Sequence, residues 1–340
     1  MSSKKSNVPD IPQQLAVPIV DNHTHIYPDP EPDHLGGEPE QLLTDEGKWR
    51  FPVLEANLVA GMERAGVRAA ISSGCEIPEL VPTLELARRR VGIVYAALAL
   101  HPNEAVLHAG VREVGPDGLA PNPQPWHEEL SLDAAVAQVA DLARNPEVLA
   151  IGETGLDYFR TGERGKAAQQ EAFRAHIALA KELDKPMQIH DREAHADVVR
   201  VLLEEGAPER TVFHCFSGDA ELAQICAEHG WYASFAGPLT YPANRDLREA
   251  FLALPPELIL VETDAPYLTP VPFRGHPNTP WGAVYTARFQ AWLWLDPAAV
   301  AMLSGSTAAQ LQAAAAAVDE ELVARWCGQL NANTMAVYGI

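Results

Sequence analysis

Residues 148–193 read VLAIGETGLDYFRTGERGKAAQQEAFRAHIALAKELDKPMQIHDRE. The stretch begins with the apolar run Val148–Asp157, which predicts a buried strand, and continues with Gln169–Asp184, whose apolar residues recur at helical spacing. Asp-Lys-Pro ends that helix, and a second apolar run, Pro186–Glu193, predicts the next strand. A buried strand, a helix and another buried strand form the repeating unit of a parallel α/β sheet.

The same alternation extends in both directions along the chain. Eight strand-like runs are predicted: Val17–Ile26, Arg68–Cys75, Gly92–Pro102, Val148–Asp157, Pro186–Glu193, Thr211–Gly218, Trp231–Gly237 and Leu258–Leu268. Longer segments of helical period lie between them, as in Ala220–Gly230. Eight such units predict an α/β protein with the (β/α)8, or TIM-barrel, fold.

Three stretches of the chain are longer than the connections that a (β/α)8 barrel requires. Residues 28–51 are rich in Pro, Gly and acidic residues and predict a loop after strand 1, and residues 110–126 predict a Pro/Gly loop after strand 3. Both leave the face where barrel enzymes keep their active sites. The third lies within residues 281–318, in an extended helical C-terminus whose tryptophans predict either a core seam or an interface patch. We expect an N-terminal tail over residues 1–16 and one barrel domain over residues 17–340.

The charge balance limits the kinds of partner. The 340 residues carry 25 Lys+Arg against 46 Asp+Glu, a net charge of −21 with a pI near 4.9. A hydrophobic content of 47% excludes disorder of the whole chain. Proteins that hold nucleic acid by bulk electrostatics need Lys and Arg to displace counterions, so the acidic charge balance argues against this class. Any chemistry on phosphates must therefore be local.

Cysteine usage and hydropathy indicate the compartment. Cys75, Cys215, Cys226 and Cys327 show no CxxC spacing, and the two lysines near the N-terminus precede no apolar segment. We expect free thiols in a cytoplasmic protein. The uncharged stretch Pro297–Val318 is mostly Ala with interspersed Ser, Thr and Gln, which predicts a helix outside the membrane. No membrane partner is expected, and the oligomeric state is open, with a monomer as the expectation.

Side chains of metal-ligand type gather at the predicted strand ends. Six of them follow five different strands: His23, His25, Glu153, His190, His214 and Asp264. The two histidines of strand 1 are two residues apart, so period-two alternation directs both imidazoles to one side. A single strand histidine is more often a core residue, and a single carboxylate there is often a helix cap. Because buried charges are expensive unless paired or bound to metal, six together predict a site for Zn, Mn or a related divalent ion.

Several of these segments resemble the motifs of a known family. The segments are DNHTHIY, LALHPNEA, AIGETGLDY, QIHDREAH, FHCFSGD, VETDAPYLTPVPFRG and the closing ANTMAVYG. In this order they resemble the TatD-type metal-dependent deoxyribonucleases of the amidohydrolase-like barrel superfamily. The resemblance extends from strand 1 to Gly339 and therefore covers nearly the whole chain.

The resemblance implies a binuclear metal centre. One ion would be held by His23, His25 and Asp264, and the other by His190 and His214, with Glu153 as the bridging carboxylate. Mixed nitrogen and oxygen ligands suit Zn, Mn, Mg and Ni alike, so the native metal is not fixed. The implied reaction is hydrolysis of phosphodiester bonds in DNA, on single strands or strand ends, by a metal-activated water. Glu153 and Asp264 are the implied catalytic residues, with Asp264 as proton acceptor.

Neighbouring residues are candidates for substrate binding. Arg192 and Arg274 are each either a phosphate clamp, through bidentate guanidinium pairing, or a salt-bridge partner of one of the many acids. His101 matches the family's His-Pro and is a candidate for substrate binding or proton transfer. We expect Asp157 to brace the loop after strand 4 by hydrogen bonds rather than to contact metal, and Cys215 to serve in packing.

Departures from the family pattern predict weaker binding of DNA. Thr240–Asn244 lacks the lysine of the family's Thr-Phe-Lys-Asn, and Pro270–Asn278 reads PVPFRGHPN where members carry PVPHRGKRN. Each missing basic group removes a phosphate contact, so DNA or a small phosphoester is expected to be weakly held. An alternative is a related barrel hydrolase that acts on a small amide, lactone or phosphoester. A non-catalytic metal-dependent binding protein is disfavoured by the complete ligand set.

Overall fold

The computed structural model describes residues 7–27, 29, 52–295 and 307–340. Its strands are β1 Ile19–Thr24, β2 Val67–Gly74, β3 Val94–Leu98, β4 Val148–Asp157, β5 Met187–Arg192, β6 Thr211–Phe213, β7 Tyr232–Phe235 and β8 Ile259–Val261. They form one eight-stranded sheet whose order follows the sequence. The neighbours from β3 to β7 are parallel. The predicted (β/α)8 fold is confirmed.

Helices lie between the strands along the sequence and follow β8. The described helices are α1 Glu55–Ala65, α2 Ile77–Arg89, α3 Pro102–His108, α4 Pro125–Glu129, α5 Leu132–Ala143, α6 Lys166–Glu182, α7 His195–Glu205, α8 Ala220–His229, α9 Arg245–Ala253, α10 Ala283–Leu295, α11 Ala308–Ala316 and α12 Glu320–Tyr338. None of the helices in the described ranges is long and apolar enough to cross a membrane.

The chain folds as two compact units. The first contains the described residues within 1–71, 219–227 and 234–340, and therefore β1, β8, α1, α9 and the C-terminal helices. The second contains residues 72–218 and 228–233, and therefore β3 to β6 with α2 to α7. The single domain expected over residues 17–340 stays a prediction.

Buried apolar strands form the core of the second unit. Ile151 pairs with Met187, and Ile189 pairs with Phe213, and all four side chains are almost fully buried. A glycine allows β4 to pass close to β5, because a Cβ on Gly155 would collide with the carbonyl oxygen of His190. Its φ of 141° is also unfavourable for other residues. This register brings the end of β4 beside the end of β5.

Tryptophans form a core seam in the first unit. Trp281, Trp292 and Trp326 are almost fully buried, and the indole N–H of Trp326 donates to Gln290 Oε1 at 3.1 Å. Of the two interpretations of the tryptophan-rich segment, the core seam is therefore the one observed for Trp281 and Trp292. Trp281 also donates to the carbonyl of Pro9 at 3.0 Å, so the described part of the predicted tail packs on the first unit.

Several predicted strands end earlier than the sequence indicates. Strand 6 was expected to reach Gly218, but β6 ends at Phe213, so His214 directly follows the strand. Strand 3 was expected to reach Pro102, but β3 ends at Leu98 and Pro102 begins α3. Proline suits the first helical turn because it lacks only a donor that would be unpaired there, and His101 Nδ1 accepts the N–H of Asn103 at 3.1 Å as the N-cap. The last strand ends at Val261, since Asp264 and Leu268 have φ values of 52° and 53°.

The predicted insertions are described in part. Residues 28 and 30–51, and residues 296–306 of the C-terminal segment, lie outside the described residues. The loop of residues 110–126 follows α3 rather than β3 directly, and α4 begins at Pro125. It is fixed to the segment after β4, because Asp117 N–H donates to the carbonyl of Phe159 at 3.0 Å and Arg164 N–H donates to Glu113 Oε2 at 2.8 Å.

All four cysteines are free thiols, as expected. The cytoplasmic location inferred from them stays a prediction.

Candidate metal-binding clusters

Three side chains from the ends of β1 and β8 converge in the first unit. The Nε2 atoms of His23 and His25 lie 3.4 Å apart. Asp264 Oδ1 lies 3.8 Å from the Nε2 of His23 and 3.4 Å from that of His25. The His23 side chain is fully buried, whereas 14% of the Asp264 side chain is exposed. We call these three residues the β1–β8 cluster.

The spacing within the β1–β8 cluster fits a divalent ion. Around a tetrahedral ion with bonds of about 2.0–2.1 Å, neighbouring ligand atoms lie about 3.3 Å apart. The three separations of 3.4, 3.4 and 3.8 Å are close to that value. Two imidazoles and a carboxylate are also a ligand set that Zn and Mn accept. The two histidines turn to one side, as their alternation predicts.

A buried acid that the sequence interpretation missed supports this cluster. Asp21 is fully buried in β1, and its carboxylate accepts the backbone N–H of Thr263 at 2.8 Å and the hydroxyl of Thr263 at 2.6 Å. Burial raises the pKa of Asp21 well above its usual range, although these hydrogen bonds oppose the rise. Asp21 shares the period-two face of His23 and His25, and that was the signal that could have identified it.

Backbone hydrogen bonds hold Asp264 in an unusual conformation. Its φ of 52° lies in the left-handed region, which Asp tolerates better than most residues. The N–H of Asp264 donates to the carbonyl of His23 at 3.0 Å, and the N–H of His25 donates to the carbonyl of Ala265 at 2.7 Å. The segment after β8 is therefore fixed to β1 on both sides of Asp264.

Glu153 lies at the centre of a second group, in the second unit. Its Oε1 lies 2.6 Å from His190 Nδ1 and 2.8 Å from His214 Nε2. The same oxygen lies 3.5 Å from His101 Nε2. On the other edge of its ring, His190 Nε2 lies 3.3 Å from Asp157 Oδ2. We call these five residues the Glu153 cluster.

Opposite charges set the protonation states of the Glu153 cluster. Burial alone would raise the pKa of Glu153, but the imidazoles of His214 and His101 outweigh it and hold that pKa well below the usual range. Burial would lower the pKa of His190, yet its contacts with Asp157 and Glu153 raise it to about 9. Burial dominates at His101 and lowers its pKa. Glu153 is therefore ionised at neutral pH.

The donor atoms of the Glu153 cluster also fit a divalent ion. His101, Asp157 and His190 each offer a ligand atom, and these atoms lie within 4.8 Å of one another. The buried Nε2 of His190 makes no hydrogen bond to any described residue. Imidazole nitrogens and carboxylate oxygens in this combination suit Zn, Mn and related ions. The structure thus brings His190 and His214 to Glu153, as the sequence predicts, and adds Asp157 and His101 to them.

Asp157 also braces the loop after β4. Its Oδ1 accepts the backbone N–H of Phe159 at 3.0 Å and that of Arg160 at 2.9 Å. Its Oδ2 accepts the side-chain amide of Asn103 at 3.2 Å. The expected bracing is therefore present, alongside the contact with His190.

Cys75 is a second residue that the sequence interpretation missed. Its thiol donates to Glu153 Oε2 at 3.7 Å, whereas Oε1 contacts His190, His214 and His101. Burial raises the pKa of Cys75 well above its usual range, and the charge of Glu153 adds to the rise, so the sulfur keeps its proton. The hydroxyl of Ser73 donates to the Gly152 carbonyl at 3.1 Å and fixes the adjacent backbone. Nothing in the spacing of the cysteines indicated this contact.

The two candidate phosphate clamps stack on aromatic rings. The guanidinium of Arg192 lies 4.0 Å from the ring centre of Phe159, and that of Arg274 lies 4.4 Å from that of Tyr241. Both arginines are exposed, and neither forms an ion pair with any residue that the structure describes. Stacking leaves the edge N–H groups of a guanidinium available for a bidentate partner. Of the two interpretations, the salt bridge is not observed among the described residues.

The segment that departs from the family pattern is well fixed. His276 Nδ1 donates to the carbonyl of Asn7 at 2.8 Å, and the carbonyl of His276 accepts the hydroxyl of Thr269. The hydroxyl of Tyr241 donates to the carbonyl of Thr269 at 2.9 Å. His276, which stands in place of one of the family's basic residues, thus binds the local backbone, as does Tyr241.

Comparisons with known proteins agree on one family. Residues 20–308 match the family described as TatD related DNase. The chain is 40% identical over 298 residues to "Uncharacterized metal-dependent hydrolase TatD" of Mycobacterium tuberculosis, which covers 85% of this chain and 96% of that protein. It is 31% identical over 228 residues to "3'-5' ssDNA/RNA exonuclease TatD" of Edwardsiella piscicida, which covers 65% of this chain and 77% of the relative.

A solved structure shows the same architecture. The crystal structure of YJJV, a TatD homologue from Escherichia coli, aligns with a TM-score of 0.61 at 25% identity, covering 94% of this chain and 98% of that one.

Proposed function

Because the chain belongs to the TatD related DNase family of metal-dependent hydrolases, we propose that it hydrolyses phosphodiester bonds in DNA, on single strands or at strand ends. The observation that carries the proposal is the β1–β8 cluster, whose ligand atoms have the spacing of a metal coordination shell. The relative from Edwardsiella piscicida is named a 3'-5' ssDNA/RNA exonuclease, which favours strand ends and makes RNA a further substrate to test.

Each cluster is proposed to hold one divalent ion. His23, His25 and Asp264 would bind the first, and His190, His214 and Glu153 the second. Bound ions supply a water of lowered pKa and positive charge for the phosphate oxygens. The resemblance predicts that Glu153 joins the two ions in one binuclear centre, and this stays a prediction. Elemental analysis of protein purified without chelator is expected to approach about two ions per chain, and full activity of metal-free protein would refute the proposal.

The protein groups have separate roles in the proposed reaction. Asp264 has one partly exposed carboxylate, and we propose that it accepts the proton of the attacking water. Asp21 and Thr263 orient the segment that carries Asp264. Glu153 remains ionised because its imidazole neighbours hold its pKa low, so it offers an anionic ligand at neutral pH.

The stacked arginines would bind the substrate phosphates. Phe159 and Tyr241 hold the guanidinium planes of Arg192 and Arg274 in place, so less side-chain freedom is lost when phosphate binds. His101 lies against Glu153 with its Nδ1 occupied by Asn103, so its Nε2 is the nitrogen that would serve substrate or proton transfer.

A second candidate function follows from the missing basic groups. The net charge of −21 and the engagement of His276 with the backbone leave few cations to hold a long polyanion. These observations favour a small phosphoester, lactone or amide as substrate of the same metal chemistry.

A substrate panel separates the two candidates. Single-stranded DNA, duplex DNA, RNA, a simple phosphodiester, a lactone and an amide would be assayed with added Mn or Zn. The proposal expects turnover of single-stranded DNA and of the simple phosphodiester, with duplex DNA slower. Turnover of the lactone or amide without any phosphodiester hydrolysis would contradict it.

A further inference from the structure

A cavity of about 490 Å³ lies in the second unit. It is lined by α3, by the loop of residues 110–126 and by the segment after β4, with Glu104, Trp126 and His127 among its walls. Its volume falls in the range of small-molecule sites, about 300–1,000 Å³. The sequence interpretation assigned no role to these three residues.

A hydrogen-bond chain fixes one side of the Glu104 carboxylate. The backbone N–H of Gln124 donates to His127 Nδ1 at 2.8 Å, which places the ring proton of neutral His127 on Nε2. His127 Nε2 then donates to Glu104 Oε2 at 2.6 Å. The other oxygen, Glu104 Oε1, accepts no hydrogen bond of normal geometry from a described residue, although the buried indole nitrogen of Trp126 lies near enough to the carboxylate to lower its pKa. Only 13% of the Glu104 side chain is exposed, and Glu104 lines the cavity.

The remaining walls discourage a phosphate and suit a flat neutral group. Glu76, Glu113 and Asp117 line the cavity together with Glu104, against the single guanidinium of Arg160. Like charges in a confined site repel an anion. Apolar surface comes from Trp126 and from aliphatic side chains, namely Val106, Leu107, Val111 and Leu119. An indole beside aliphatic groups gives the contact surface on which a planar ring packs.

The cavity is connected to the Glu153 cluster through one side chain. Asn103 lines the cavity and donates its amide to Asp157 Oδ2 at 3.2 Å. Asp157 Oδ2 lies 3.3 Å from His190 Nε2. Asn103 and Asp157 therefore connect a ligand in the cavity to His190, a proposed metal ligand.

We propose that this cavity binds a nucleobase with an exocyclic amino group, which donates a hydrogen bond to Glu104 Oε1 while the ring packs beside Trp126. Carboxylates accept from the amino group of cytosine in nucleic-acid recognition. The inference deepens the proposed nuclease function and rests on it, because it assigns a binding site to a base of the proposed substrate.

Cytidine and uridine provide a matched pair of probes. They differ at position 4, where cytidine carries an amino donor and uridine a carbonyl acceptor. Dissociation constants would be measured on the full chain by calorimetry at pH 8. Burial raises the pKa of Glu104 to about 7, against the opposing effect of the Trp126 indole, so the carboxylate is ionised at that pH. Cytidine is expected to bind about tenfold more tightly than uridine, the effect of one hydrogen bond to a charged group.

Glu104→Gln tests whether Glu104 Oε1 is the atom that distinguishes cytidine from uridine. His127 keeps the amide oxygen of the new Gln on its own side, because its Nε2 is a donor. The amide NH2 then faces the cavity, a donor in place of an acceptor, so the preference is expected to reverse toward uridine. The control Glu129→Gln removes the same charge at an exposed position of α4 and is expected to keep the preference for cytidine.

The outcomes separate this inference from the proposed function. Equal binding of both nucleosides by the unmodified chain, or an unchanged preference in Glu104→Gln, overturns the inference even if DNA is hydrolysed. A preference for cytidine that reverses in Glu104→Gln supports the base site even if the substrate panel shows no nuclease activity. Binding of nucleosides requires no turnover, so the two results are independent.

Discussion

The carboxylate of Asp21 accepts two hydrogen bonds from Thr263, one from its backbone N–H at 2.8 Å and one from its hydroxyl at 2.6 Å. Thr263 directly precedes Asp264, and its hydroxyl also accepts the N–H of Ala265 at 3.1 Å. The fully buried acid therefore fixes the backbone on both sides of a proposed metal ligand. Asp21 is thus a positioning residue, which acts through Asp264.

Asp21→Asn is expected to destabilise the fold and to loosen the β1–β8 cluster. The amide retains one acceptor but turns a donor toward the other Thr263 group, which leaves a buried polar contact unsatisfied. The expected loss is about 1–3 kcal/mol in the free energy of unfolding, with weaker Mn affinity. Urea unfolding and metal titration measure both quantities. The exposed Asp141→Asn serves as the control and is expected to change neither, and an equally small effect of Asp21→Asn would contradict the positioning role.

His176 is expected to make stability depend on pH. Its Nδ1 donates to the carbonyl of Ala172 at 2.6 Å, its Nε2 accepts the N–H of Leu100 at 3.2 Å, and burial lowers its pKa from 6.5 to about 4. The unfolded chain takes up the proton first as pH falls. The contribution of His176 is therefore fully present above pH 6.5 and is lost between pH 6.5 and about 4, by up to about 1.4 kcal/mol per pH unit.

His176→Gln isolates that contribution. Gln replaces one donor and one acceptor without titrating, so denaturant unfolding across this pH range is expected to show a shallower loss of stability than in the unmodified chain. Other titrating groups are common to both proteins and cancel in the comparison. Parallel stability curves would show that His176 does not stay neutral when folded.

Cys75 is expected to position Glu153 rather than bind metal itself. Cys75→Ala removes the thiol that donates to Glu153 Oε2 and should lower the Mn affinity of the protein by about tenfold, the lower end for supporting groups around a metal ligand. Cys75→Ser retains a donor and should recover most of the affinity. Calorimetric titration measures the three constants. If Ser is as damaging as Ala, the hydrogen bond is not the cause.

Arg274→Ala is expected to raise KM for single-stranded DNA more than for a neutral ester. Loss of one phosphate contact should also reduce the slope of log affinity against log salt by about 1. Arg245→Ala removes an exposed arginine that pairs with Glu249 at 2.7 Å and is expected to leave both quantities nearly unchanged. Equal effects of Arg274→Ala on DNA and on the ester would remove Arg274 from phosphate binding.

Patterns local to a strand were sufficient to predict the main features of the candidate site. Period-two alternation predicted that His23 and His25 face one side, and the ends of apolar runs located Glu153, His190 and Asp264. Side chains at such positions are placed by the strand itself, so the fold class and the strand ends determine where they lie. The same reasoning predicted the eight strands.

Side-chain partners from distant elements were not predictable in this way. The backbone N–H of Leu100 donates to His176, which lies on a separate helix, and Glu104 accepts from His127 across the loop of residues 110–126. Neither pair follows a helical or strand period, because each depends on how a loop returns to a neighbouring element. Asp21 was missed for another reason. Its carboxylate binds Thr263 and so fixes the backbone, and residue type alone does not distinguish such a buried acid from a metal ligand.

The proposed metal chemistry is tested most sharply by the rate at which Asp264→Asn hydrolyses single-stranded DNA in saturating Mn. Asp264 lies 3.4 Å from His25 in the β1–β8 cluster and is the proposed proton acceptor. We predict a loss of at least about a thousandfold in turnover, with circular dichroism and thermal unfolding unchanged and with Asp141→Asn fully active. A near-normal rate in Asp264→Asn would contradict the proposal.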